Sequence, residues 1–215
     1  MSIPFKANQK LLFIGDSITD CGREHPVGQR LESSLGAGYV SFVDSILGAA
    51  APEIPVRVLN TGISGNRVTD LEARWQTDVL DLEPNWLSVM IGINDVWRQF
   101  DAEPGADQVE PEQYESVYRG LLAKTRPQLD GLVLMTPYFL ETNREDPMRV
   151  RMDAYGAITK KLAAEFDAIC VDTQAAFDHY LAHQPTQSLC ADRVHPNGVG
   201  HMILARSFLS AVGLS

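Results

Sequence analysis

A chain of 215 residues, 45% hydrophobic and 21% charged, carries enough apolar surface for one buried core, and the expectation is a single domain over residues 1–215. Its formal net charge of −10 sets a field that repels polyanions, which argues against nucleic acid as a partner. No stretch approaches the ~18 consecutive apolar residues of a membrane span, the N-terminus lacks the features of a secretory signal, and Cys21, Cys170 and Cys190 form no CxxC pair, so a reducing cytoplasm is the expected setting.

Short apolar runs alternate with longer amphipathic stretches along the whole chain. "LLFIG" at 11–15 reads as the first strand, and a helical pattern follows at 38–50. "VRVLN" at 56–60 and "WLSVMIG" at 86–92 bracket a helix at 67–81. A helix at 111–129 leads to "GLVLMTP" at 131–137, a helix at 147–167 leads to "AICVD" at 168–172, and helices at 173–183 and 197–211 close the chain. Continuous apolar character without period-two alternation marks strands covered on both faces. The pattern predicts a three-layer α/β/α sandwich around a mostly parallel, five-stranded sheet.

In such a sheet the binding crevice lies at the carboxyl ends of the strands, so the residues just after each apolar run matter most. After the first come Gly15, Asp16 and Ser17; after the second, "NTGISGN"; after the third, "GIND". Ser17 is either a helix cap or a nucleophile. A serine nucleophile needs a base, a group that orients the base, and donors for the developing oxyanion. "DRVHP" near the C-terminus offers Asp192 and His195 three residues apart, held in an extended or turn segment because Pro196 follows. Gly65 can present its N–H closely to a ligand because it lacks a Cβ, and Asn94 offers an uncharged NH2 donor; turn and cap roles are open to both.

Taken together and in order, "GDSITD", "NTGISGN", "GIND" and "DRVHP" resemble the four signature blocks of the SGNH hydrolases, also called the GDSL family. The resemblance spans nearly the whole chain. It implies the flavodoxin-like SGNH fold, Ser17 as nucleophile, Ser17 N–H with Gly65 and Asn94 as the oxyanion hole, and His195 as general base oriented by Asp192, with no metal or organic cofactor. The longer phrases "LLFIGDSITDCGR", "ARW", "IGINDVWRQ" and "VDTQAAF" are similar to the intracellular acetylxylan esterase branch of that family, which implies a small acetylated saccharide, a xylo-oligosaccharide above all, as substrate. The sequence departs from the branch at Ala191, where the branch carries a tryptophan; its loss widens the pocket or removes a sugar platform. Thioesterase or lysophospholipase activity with a longer acyl chain is the alternative, and a non-catalytic carbohydrate-binding protein is the alternative of another class.

Trp97, Tyr138 and Phe139 follow strand ends, where aromatic faces stack on sugars or pack the core, and Trp97 and Tyr138 are the candidates for substrate binding. Arg98, the acidic loop 101–112 and the loop from Asp20 to Gly38 are candidate rims of the site. His179 and His183 have the i,i+4 spacing of two metal ligands but lack a third partner, Gly62 and Gly65 do not complete a dinucleotide loop, and His201 reads as structural. Among oligomers a symmetric homodimer is the general expectation.

Overall fold

In the computed structural model, which describes residues 3–29, 34–101 and 108–214, the centre of the molecule is β1 (Lys10–Gly15), flanked by β3 (Arg57–Asn60) and β4 (Trp86–Met90). Both pairings are parallel, with Leu12 opposite Leu59 on one side and Leu87 on the other. Leu11 to Ile14 are fully buried, because helices cover both faces of the strand. The sheet continues through β5 (Gly131–Met135) to β6 (Ile169–Val171).

The sheet has six strands, one more than the sequence pattern predicts. The additional strand, β2 (Gly28–Gln29), pairs antiparallel with β3 at the far edge. Two residues in a Pro- and Gly-containing loop leave no hydrophobic signature. The order β2-β3-β1-β4-β5-β6 reverses direction at β1, and in doubly wound sheets the ligand crevice opens at that switch, between β1 and β4.

Helices α2 (Tyr39–Ala50), α7 (Thr173–Leu181) and α8 (Gly198–Ala211) pack together, as do α3 (Val68–Asp78), α4 (Ile93–Asp101), α5 (Pro111–Thr125) and α6 (Pro147–Glu165). A short α1 (Ser17–Asp20) follows β1 directly. Phe13 joins β1 to α8 through Phe208, at 5.0 Å between ring centroids, and apolar residues of all the strands except β2 enter one continuous core. Helix starts are capped by short acceptors. Asp146 accepts from Met148 and Arg149 behind Pro147, and Asn197 accepts from Val199 and Gly200, satisfying N–H groups that a helix leaves unpaired. Among the described residues no helix is long and apolar enough to cross a membrane.

α4 lies where the sequence reading has no element. Its apolar residues Ile93, Val96, Trp97 and Phe100 do follow the i, i+3, i+4, i+7 helical spacing, but the stretch is only nine residues long and begins three residues after β4 ends, where the sequence reading takes "GIND" as a strand-end loop.

Candidate active site

Ser17 opens α1 at the carboxyl end of β1. Asp16 is the cap, its Oδ1 accepting the Ile18 N–H at 3.0 Å, so Ser17 itself is free of the capping role the sequence allows it. Its Oγ stands 2.9 Å from His195 Nε2, although the two residues are 178 apart in sequence. His195 Nδ1 is 2.7 Å from Asp192 Oδ2. The other carboxylate oxygen, Oδ1, accepts the Val194 and His195 backbone N–H groups at 3.0 and 2.9 Å. Burial raises the Asp192 pKa, but these hydrogen bonds outweigh it and hold the carboxyl below its usual value. An ionised Asp192 fixes the proton of a neutral His195 on Nδ1, which leaves Nε2 as an acceptor facing the Ser17 hydroxyl.

The D-x-x-H segment is fastened from beneath by the chain leaving β5. Tyr138 Oη donates to Val194 O at 3.0 Å, and Leu140 N–H donates to Arg193 O at 2.9 Å. The Arg193 guanidinium lies 4.8 Å from the Phe139 ring centroid and pairs with Glu141 at 2.7 Å. Tyr138 is therefore not a substrate contact. It is fully buried against Phe177, and the sequence reading places its aromatic face in the wrong compartment because a strand-end position does not reveal which way a side chain turns.

Two loops bring up the donors. In the loop after β3, Gly65 has φ +83° and open space where a Cβ would stand. Gly62, in the same loop, approaches α1 so closely that a Cβ would meet Asp20 N at 2.4 Å. Asp20 Oδ2 returns the contact, accepting Ser64 N–H and Oγ–H at 2.9 and 2.8 Å. Asn94, in the first turn of α4, gives one amide hydrogen to Asn66 O at 3.0 Å and keeps a second to offer. The Ser17 and Gly65 N–H groups have no acceptor among the described residues. Asp95 ties the two loops together. Fully buried, it accepts Val68 N–H at the start of α3, and burial pushes its carboxyl up to about 7.

Ser17, Gly65, Asn94, Trp97, Arg98 and His195 line a cavity of about 540 Å³. Trp97 leans on the His195 ring at 5.8 Å between centroids, and Arg98 pairs with Asp101 at 3.3 Å on the rim. Residues 102–107 of the acidic loop and 30–33 of the loop after Asp20 lie outside the described residues. Ala191 lines a neighbouring cavity of about 590 Å³ with Glu141, Thr186 and Arg193 and is not part of the wall around Ser17.

His201 is structural but also touches the site. Its Nδ1 accepts the Tyr39 N–H at 3.2 Å, so the ring hydrogen sits on Nε2, 3.5 Å from Cys21 Sγ. Burial, with repulsion from His195, pushes it down to about 4. His179 and His183 meet edge to face at 5.7 Å, and no group of three or more potential metal ligands exists among the described residues.

A mostly parallel sheet of this order, delivering a hydroxyl, an imidazole and a carboxylate to one crevice at its switch point, has the geometry of a serine hydrolase acting on acyl bonds. Residues 13–203 match the GDSL-like Lipase/Acylhydrolase family, and the chain belongs to it. It is 50% identical to an acetylxylan esterase of Geobacillus stearothermophilus over 208 residues, 96% of this chain and 95% of that one. The crystal structure of Axe2, an acetylxylan esterase from the same organism, superposes with a TM-score of 0.97 at 49% identity, covering 99% and 98% of the two chains. LAE5, an alpha/beta hydrolase enzyme from the metagenome of Lake Arreo, Spain, gives 0.96 at 48% identity, with 99% of each chain covered. Solved structures of Axe2 include catalytic mutants in which a serine, an aspartate and a histidine become alanine. That aspartate precedes the histidine by three positions, and a tryptophan directly precedes the aspartate.

Proposed function

We propose that this protein is a serine esterase that removes acetyl groups from acetylated xylo-oligosaccharides. The observation that carries the reading is the hydrogen-bonded relay from Ser17 Oγ to His195 Nε2, at 2.9 Å, and from His195 Nδ1 to Asp192 Oδ2, at 2.7 Å. His195 Nε2 takes the hydroxyl proton as Ser17 Oγ attacks the acetyl carbonyl. Negative charge develops on the carbonyl oxygen, and the Ser17 N–H, the Gly65 N–H and the free amide hydrogen of Asn94 stabilise it. Collapse expels the sugar alkoxide, which leaves with the proton from His195. Water then attacks the acetyl-serine, giving its proton to the same nitrogen; acetate departs and the proton returns to Ser17 Oγ. Asp192 keeps the ring in the required tautomer and stabilises the imidazolium between these transfers.

The Geobacillus acetylxylan esterase supports the substrate assignment, and its serine, aspartate and histidine mutants support the roles given to Ser17, Asp192 and His195. The half-buried Trp97 beside His195 offers an apolar face of the kind on which sugar rings stack. Cys21, Cys170 and Cys190 are free thiols, in keeping with a reducing, cytoplasmic setting.

Ser17→Ala tests the reading. The variant should fold and lose hydrolysis of an aryl acetate, while the parent protein deacetylates acetylated xylo-oligosaccharides and is labelled at Ser17 by an organophosphonate. Unchanged turnover in the variant overturns the nucleophile. Preference for octanoyl esters or long acyl-thioesters overturns the substrate, and a parent protein that neither labels nor turns over overturns the enzyme reading.

A further inference from the structure

We propose that Arg74 is a positioning residue for hydrolysis, whose guanidinium holds the segments bearing Ser17, Gly65 and Asn94 in register. The inference rests on the reading of those residues as nucleophile and oxyanion donors. Arg74 lies on α3, outside the cavity that holds Ser17, and its side chain is only 14% exposed. Its Nη2 donates to Gly15 O at 3.2 Å, two residues before Ser17. Its Nη1 donates to Thr61 O at 2.7 Å and to Asp78 Oδ2 at 2.6 Å. Its Nε donates to Asn66 Oδ1 at 2.7 Å, next to Gly65. The carbonyl of that same Asn66 accepts the Asn94 amide. One planar cation thus bonds directly to the end of β1 and to both ends of the Gly65 loop, and reaches the start of α4 through Asn66.

Two features separate this from an ordinary ion pair. The Asp78 bond is an i,i+4 contact within α3, so the helix requires no other partner for it. The remaining three bonds all leave the helix and end on the strand ends and the loop that frame the cavity. Moreover, Gly15 O also accepts the Ile63 N–H at 3.1 Å, so the loop and the nucleophile strand share an acceptor that Arg74 orients. Lysine cannot reproduce this. Its single nitrogen spans no fork, whereas the guanidinium sets several donors in one plane.

Misplacing a reacting group by about 1 Å costs roughly 10²-fold in rate. In Arg74→Lys, kcat per organophosphonate-titratable site should fall ~10- to 100-fold while KM for an aryl acetate changes less than about threefold, the signature of donors displaced from the transition state. Arg74→Ala should lose more, and millimolar ethylguanidinium, which replaces the missing group, should recover activity where ethylammonium does not. Counting titratable sites separates lost turnover from lost folding. Wild-type kcat per site in Arg74→Lys, or a loss in Arg74→Ala that ethylguanidinium leaves untouched, overturns the inference while the Ser17 reading stands. A parent protein that is inert and unlabelled overturns both.

Discussion

Replacing Asp16 by asparagine should flatten the dependence of stability on pH. Asp16 lies fully buried beneath Ser17, with Oδ1 on the Ile18 N–H and Oδ2 without a partner among the described residues. Burial pushes its carboxyl from 3.8 up to about 7, against the pull of the Ile18 N–H and of His195. Between those values the folded protein holds a proton that the unfolded chain releases, so stability falls as pH rises through the window. From pH 5 to the folded value of about 7 roughly two pH units are crossed, and at about 1.4 kcal/mol per unit the loss is about 3 kcal/mol. Asparagine keeps an oxygen for Ile18 and never ionises. Urea unfolding of both proteins at pH 5 and pH 8 measures the effect as a double difference. Asp95, also pushed up to about 7 by burial and in smaller part by the Asp16 charge, titrates in both proteins, so the double difference reads Asp16 together with its coupling to Asp95. His201, which burial pushes from 6.5 to about 4, is common to both proteins and drops out; folding excludes its proton, so its contribution rises with pH through that lower window. Parallel curves for the two proteins would refute a protonated Asp16 in the native state.

Two further substitutions separate roles within the site. Asn94→Ala should lower kcat by ~10²- to 10³-fold with little change in KM, because in the proposed role its amide acts on charge that exists only in the transition state; steady-state kinetics on an aryl acetate reads this directly, and a pure KM effect contradicts it. Tyr138→Phe removes the donor to Val194 O inside the core and should cost ~1–3 kcal/mol in urea unfolding, leaving KM for acetylated xylo-oligosaccharides unchanged; a raised KM would return Tyr138 to the substrate.

The central strands are legible because each is a nearly continuous apolar run, and their ends mark the crevice. Ser17, Gly65, Asn94, Asp192 and His195 do converge there, since strand-end loops in a parallel sheet have one rim to share. The supporting residues were not legible. Arg23, 4% exposed, bonds Gly62 O at 2.7 Å, Asp20 receives Ser64, and Arg74 joins three segments. Charged residues in a sequence read as solvated, and nothing local announces that their partners are backbone carbonyls of distant loops. The "ARW" phrase contains Arg74, but a phrase identifies a likeness and not a bond. Tyr138 failed for the reverse reason: an aromatic after a strand looks like a platform, and only the path of the chain beyond β5 shows it turned inward.

The relay between Ser17 and His195 joins the first strand to the turn before the last helix, 178 residues away. On the proposed mechanism, activity is therefore a property of the finished chain. A ribosome-bound or proteolytically shortened product that has closed β1, β3 and β4 but lacks α8 and the turn before it contains a buried sheet and an inert serine. Regained turnover in refolding therefore requires that this contact of long sequence separation be closed, whereas burial of Trp75 and Trp86 in the core requires only the strands and helices around them.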